Sequence, residues 1–206
     1  MTNNFITDRK IDRNEIRQLI RNKRQNLDEI TQKQQALLLA QKLKSHPKVS
    51  KAQSIAIYLT NDGEINTQDF IHDCWNNNIK TYLPVLHPFS KGHLLFLHYH
   101  CQSVMKRNKY NILEPHLNVG DVLPIAQIDI IFTPLVAFDP SGARLGMGGG
   151  YYDRTLATWY SKKDVNSKPY PIGLAFDCQQ IESIPTEHWD IPIPEIVTPN
   201  QHFQFF

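Results

Sequence analysis

The stretch that most limits how this chain can fold runs from Ile128 to Asp139, "IDIIFTPLVAFD", its longest apolar run with strand character. The apolar residues are continuous rather than alternating, which suits a strand covered on both faces and hence a parallel sheet within an α/β protein. The run feeds "RLGMGGGYYDR", Arg144 to Arg154, where four of the chain's nine glycines fall within five positions. A glycine-rich link from strand to helix lies at the carboxyl edge of such a sheet, where ligands settle in open α/β folds.

Flanking segments fit the same class. "SIAIYLT" and "IKTYLPV" read as strands around a helix, "TQDFIHDCWNN", capped by Thr67, which makes a βαβ unit. "HLLFLHYH" reads as a further strand and "NKYNILEPHLNVGDVLP" as an extended loop. After the glycines come a short helix, "YYDRTLATWY", a surface loop, "SKKDVNSK", and two strands, "YPIGLAF" and "EIVTP". Upstream, Ile16, Leu19, Ile20 and Leu27 mark a helix over 11–27, and a second helix follows with Asp28 or Thr31 as its N-cap. The expectation is one α/β domain over 1–206, an open and mostly parallel sheet flanked by helices.

Composition removes several functions. The net charge of +2 is too small for a nucleic-acid binder. No apolar run approaches the ~20 residues of a membrane span, and "MTNNFITDRK" lacks the apolar stretch of a secretory signal, so a cytoplasmic protein is expected. The three cysteines, Cys74, Cys101 and Cys178, form no CxxC pair, which argues against zinc or redox chemistry. His93, His98 and His100 beside Cys101 lack a second cluster to complete a metal shell, and no GxSxG elbow occurs.

The glycine loop matches neither GxGxxG nor GxxxxGK followed by Ser or Thr. Glycine nevertheless lets a backbone reach positive φ and approach a phosphate closely, and free amides at the following helix start attract anions. Arg144 could clamp phosphoryl oxygens and Asp153 could bind magnesium. A tight turn in which Arg144 and Asp153 simply pair, or Asp153 caps the helix, accounts for the same residues. Between Asp8 and Arg24 seven Lys or Arg stand against three acids, and Arg13, Arg17 and Arg21 share one helical face. An anion site and a solvated charge stripe both produce that pattern.

"FTPLVAFDPSGARLGMGGGYYDRTL" resembles the 5-formyltetrahydrofolate cyclo-ligase family. "RNEIRQLIRNKR", "IAIYLTNDGEINT" and "KYNILEP" carry the likeness over nearly the whole chain, in the family's order. The resemblance implies a fold similar to the sugar-phosphate isomerase and CoA-transferase group. It also implies ATP- and magnesium-dependent closure of 5-formyltetrahydrofolate to 5,10-methenyltetrahydrofolate, with release of ADP and phosphate. By the same likeness Arg13, Arg17 and the loop Arg144, Leu145, Gly146, Met147, Gly148, Gly149, Gly150, Tyr151 and Tyr152 bind ATP. Leu59, Glu64, Tyr110 and the segment from Met147 to Tyr151 border the folate, Asp153 binds magnesium, and Arg144 and Tyr151 serve catalysis.

Two positions depart from the family pattern. Met147 and Gly149 stand where some relatives carry Lys or Arg, and Pro194 stands where some carry an aspartate, which leaves Asp190 or Glu195 as the second magnesium ligand. Glu114 and Pro115 are expected to be architectural. The expected partners are the two small-molecule substrates, with no nucleic acid or membrane and a monomer or weak homo-oligomer. Because a fold does not fix a function, a sugar-phosphate isomerase, an acyl-CoA transferase and a non-catalytic nucleotide-binding protein are the competing readings.

Overall fold

The computed structural model describes residues 12–162, 164 and 167–206. Ile11 of the expected first helix, Lys163, Val165 and Asn166 of the expected surface loop, and the residues before Asp12 lie outside that set.

The described residues open with α1 (Arg13–Gln25) and α2 (Glu29–Lys44). Asp12 caps α1 through a capping box with Glu15, and Asp28, not Thr31, caps α2 by accepting the Thr31 N–H at 2.8 Å. β1 (Ser54–Ala56), α3 (Gln68–Asn76) and β2 (Lys80–Leu86) form the expected parallel βαβ unit. Thr67 precedes α3, but its hydroxyl donates to the Tyr58 carbonyl at 2.6 Å instead of capping. Asn66 supplies the polar acceptor at that end, taking the Gln68 N–H at 2.8 Å.

β3 (Leu94–Tyr99) returns antiparallel to β2. β4 (Met105–Arg107) precedes the segment expected to be a loop, and β5 (Leu113–Pro115) within that segment pairs back on it as a short hairpin. The long apolar run splits into β6 (Ile130–Pro134) and β7 (Ala137–Phe138), which pairs with β8 (Arg144–Leu145) ahead of the glycines. The physical reason is local: the Leu135 carbonyl, past the sheet edge, accepts from Gln179 Nε2 at 2.7 Å, and the Val136 N–H turns to the Leu145 carbonyl. α4 (Tyr151–Ser161), β9 (Tyr170–Leu174), β10 (Glu195–Val197) and an edge strand absent from the sequence reading, β11 (His202–Gln204), complete the chain.

The main sheet has the order β11-β10-β9-β6-β1-β2-β3, parallel through its five inner strands and antiparallel at both edges. Successive residues of β6 serve opposite faces. Ile130 and Phe132 pack with Leu39, Leu43, Phe70 and Ile71 of α2 and α3, whereas Ile131 packs with Leu156 of α4 and Ile196. A strand buried on both sides reads as an unbroken apolar run for this reason. α1 rests on a smaller cluster of its own, Ile16 and Ile20 against Val136, Ala137, Leu145 and Ile184. Among the described residues no helix is long and apolar enough to cross a membrane.

Candidate functional site

Strand order reverses between β1, which leads on to β2, and β6, which leads on to β9. A doubly wound sheet opens a crevice beyond the carboxyl ends of its strands at such a point. Here that crevice is a cavity of about 640 Å³, with Leu59 following β1 and Leu135 following β6 in its wall. Leu59, Glu64, Tyr110, Arg144, Gly146, Met147, Gly149, Gly150, Tyr151, Tyr152 and Asp153 all line it, so residues spread over nearly a hundred positions meet.

The glycine loop spans 146–150 between β8 and α4. Gly148 at φ +95° and Gly150 at φ +61° occupy the left-handed region that side chains resist. A Cβ built on Gly146 would meet nothing within 4 Å, so that glycine leaves open space rather than relieving a packing clash. α4 opens with Gly150 as its N-cap and no side-chain cap, so its first amides remain for an anion.

Charges converge on this loop. Arg144 is buried, and its Nη2 donates to Asp153 Oδ1 at 2.7 Å. Burial acts to lower its pKa, against the pull of Asp153 and Asp190. Arg144 Nε has no hydrogen-bond partner among the described residues, an orphaned cationic donor beside an anion-attracting helix start. Arg17 Nε donates to the Gly146 carbonyl at 2.8 Å, which fixes the loop's first residue. Arg13 stands one step back and forms a bidentate pair with Asp190 at 2.6 and 2.9 Å. The paired reading of Arg144 and Asp153 is therefore realised, and in that pairing both still face the cavity.

Asp153 Oδ1 also accepts the Ile191 N–H at 3.3 Å, which joins the 190–191 segment to α4. Asp153 and Asp190 both act electrostatically on Arg144; Asp153 lines the cavity, whereas the Asp190 carboxylate is held bidentate by Arg13. Glu195 is elsewhere. It lies at the amino end of β10, where Oε2 accepts from His46 at 2.6 Å and His202 at 2.8 Å, and Oε1 accepts from Tyr170 at 2.5 Å. As a magnesium ligand Glu195 is corrected by its own position in a parallel strand, because the site lies beyond the opposite ends. His46 Nδ1 accepts from the Lys48 and Val49 amides at 3.3 and 3.4 Å, which leaves its proton on Nε2 facing Glu195, so this cluster is a hydrogen-bond hub.

Glu64 lines the cavity with Tyr58, Leu59 and Tyr152 and accepts the Asn61 N–H at 3.2 Å. Desolvation raises its pKa to about 7, partly offset by Arg24. The Tyr110 and Tyr151 hydroxyls meet at 2.9 Å with their rings edge to face. Glu114 is buried and accepts the Leu86 N–H at 3.3 Å and Asn108 Nδ2 at 3.0 Å, an architectural role that also shapes the wall.

Several residues escaped the sequence reading. Asp62, inside the segment "IAIYLTNDGEINT" but given no role by it, accepts from Arg21, Arg24 and Gln25, partners 37 to 41 positions away. Arg154 donates to the carbonyls of Gly92 and Gly149, and only its place at the end of the glycine motif hinted at that.

Comparison with known proteins identifies the family and the fold. The sequence model of the 5-formyltetrahydrofolate cyclo-ligase family matches residues 9–199. A 5-formyltetrahydrofolate cyclo-ligase of Escherichia coli (strain K12) is 46% identical over 187 residues, covering 91% of this chain and 100% of the relative. One of Haemophilus influenzae is 49% identical over 185 residues, covering 90% and 96%. The solution structure of 5,10-methenyltetrahydrofolate synthetase from Aquifex aeolicus superposes with a TM-score of 0.78 at 27% identity, over 94% of this chain and 92% of that one. The chain belongs to the 5-formyltetrahydrofolate cyclo-ligase family.

Proposed function

We infer that the cavity takes 5-formyltetrahydrofolate and MgATP together and closes the folate to its 5,10-methenyl form, releasing ADP and phosphate. The observation that carries this reading is the meeting of the glycine loop with Leu59, Glu64 and Tyr110 in one cavity at the sheet's reversal point. Neither a turn nor a nucleotide site alone requires the second set of walls.

An amide oxygen is a poor leaving group. In this mechanism the formyl oxygen attacks the γ-phosphorus and expels ADP, giving a phosphorylated imidate. The second folate nitrogen then attacks the imidate carbon, phosphate leaves with the former formyl oxygen, and that nitrogen's proton goes to the departing phosphate. Phosphoryl transfer of this kind asks the protein chiefly for alignment and charge stabilisation. Arg144 and the amides opening α4 serve the transferring phosphoryl group, and Arg17 holds Gly146 so that those amides keep their direction. Arg17 and Arg144 also supply the positive charge that Met147 and Gly149 do not.

Tyr151 stands on the border between nucleotide and folate, with its hydroxyl anchored by Tyr110. Tyr58, Leu59, Leu83 and Leu135 exclude water from the imidate. Glu64 accepts hydrogen bonds from the pterin amino and ring NH groups, and Tyr110 offers its ring as a stacking surface. Asp153, with Asp190 as the second carboxylate, would hold the magnesium, which when bound neutralises phosphate charge.

The test is initial-rate absorbance of the methenyl product with wild type and Asp153→Asn. Product should form only with both ATP and magnesium, and the variant should lose about 100-fold or more in turnover at limiting magnesium, the scale of one lost charge-stabilising group. Wild-type rates in the variant would remove Asp153 from the metal site. A protein that converts no 5-formyltetrahydrofolate would sink the assignment as a whole.

A further inference from the structure

α1 carries arginines at positions 13, 17, 21 and 24, and they divide by destination. The first two hold the nucleotide side: Arg13 grips Asp190, and Arg17 grips the Gly146 carbonyl. The last two reach the opposite wall. Arg21 Nε and Nη2 form a bidentate pair with the Asp62 carboxylate at 2.6 and 2.8 Å. Arg24, fully buried, donates from Nη2 to Asp62 Oδ2 at 2.7 Å and from Nε to the Asp62 carbonyl at 3.0 Å. Gln25 Nε2 adds a bond to Oδ1 at 2.8 Å.

Asp62 thus receives five donated bonds from one helix, four of them on its carboxylate. They hold it at φ +52°, and Gly63 follows at φ +71°, so two consecutive left-handed residues shape the turn that presents Glu64. A non-glycine residue persists there only when its surroundings determine it, and those surroundings are α1. The hydrogen bond from Arg21 is the main influence lowering the Asp62 pKa, so the charge persists through the neutral range. Beyond its polar grips, α1 is seated on the cluster around Ile16 and Ile20 and against the turn at 177–179. Its arginines therefore tie one helix to both the loop and the 62–63 turn.

We propose that Asp62 is a positioning residue that couples the two substrate sites: through Arg21, Arg24 and Gln25 it fixes the folate-side turn to the helix whose other end, through Arg17, fixes the phosphate loop. Nucleotide that orders the loop also orders α1, and α1 sets the turn carrying Glu64, so each substrate tightens the other. Reciprocity between the two sites follows from thermodynamic linkage. The inference rests on the reading of the cavity as a joint site for folate and ATP.

The experiment measures the 5-formyltetrahydrofolate dissociation constant by calorimetry with and without magnesium and a non-hydrolysable ATP analogue. In the wild type the analogue should tighten folate about fivefold or more, the lower range of known couplings. In Asp62→Asn, which keeps the shape and the tolerance for positive φ but loses the charge, the ratio should fall to within about twofold of one. Arg21→Gln, at a half-exposed position and less demanding of the fold, should reduce the ratio in the same direction if Asp62→Asn does not fold. A purely structural Asp62 would lower the melting temperature and weaken both ligands while keeping the wild-type ratio, and that result overturns the proposal. So does a wild type that closes the ring yet shows no ratio. A wild type that neither closes the ring nor binds folate would instead bring down the reading of the cavity itself.

Discussion

Glu64 is set among Tyr58, Leu59 and Tyr152, and those surroundings, more than its identity, decide its chemistry. Desolvation brings its pKa to about 7, so the carboxyl is neutral below that value and charged above it. The role proposed for it, accepting hydrogen bonds from pterin NH groups, is best filled by the ionised carboxylate. The KM for 5-formyltetrahydrofolate should therefore rise as pH falls below about 7, approaching tenfold per pH unit, because each unit removes nine-tenths of the carboxylate. In Glu64→Gln the profile should be flat across pH 6 to 8 and weaker at the upper end; initial rates at saturating ATP check both. An unaltered slope in the variant would assign the titration to another group. Glu64 was legible from its motif, but its altered proton affinity was not, since Tyr152 lies 88 positions from it.

Elements show where local propensity prevailed and where packing overrode it. α1, α2 and α4 start where their capping residues and the glycine loop put them, because a cap is satisfied within one turn of chain. Thr67 fails as a cap because the Tyr58 carbonyl, nine residues earlier, competes for its hydroxyl. The run from Ile128 to Asp139 looked like one strand because burial on both faces hides the break after Pro134, and only Gln179 and Leu145, from distant parts of the chain, define it. The glycine loop carries the prediction that belongs here. Gly148→Ala puts a Cβ on a residue at φ +95°, which costs about 1 kcal/mol or more, and brings it to 3.7 Å from Arg17. The domain should stay folded, with a melting temperature a few degrees lower. The KM for MgATP should rise severalfold while that for folate changes less, because the loop and not the folate wall is displaced. Equal effects on both substrates would show that the loop does not separate them.

At the scale of the whole molecule, the two ends of the parallel sheet have different tasks. The carboxyl ends hold the cavity, and the amino ends hold Glu195 with His46, His202 and Tyr170. The partners' hydrogen bonds outweigh burial and hold the Glu195 carboxyl at about 2, below its ordinary 4.5. A depressed acid contributes stability that is fully present above about 4.5 and is lost as pH falls through about 2, here on the order of 3 kcal/mol. Glu195→Gln should be less stable than wild type at pH 5 and should lose less stability than wild type between pH 4.5 and 2.5. Urea unfolding at several pH values measures it, and parallel curves for the two proteins would contradict the account.

The sequence by itself determined the α/β class, the positions of most helices and strands, the glycine loop and the family motifs. These depend on periodicity, caps and glycine's freedom at positive φ, all settled over a few residues. Tertiary structure alone decided that Glu195 lies at the far end of the sheet from Asp153, that Asp62 gathers Arg21, Arg24 and Gln25, and that Arg13 pairs with Asp190 behind the loop rather than in the cavity. Each of these turns on which end of a parallel strand a residue occupies, or on partners tens to well over a hundred positions away. Spacing along a chain does not encode a direction in space until the sheet order is set.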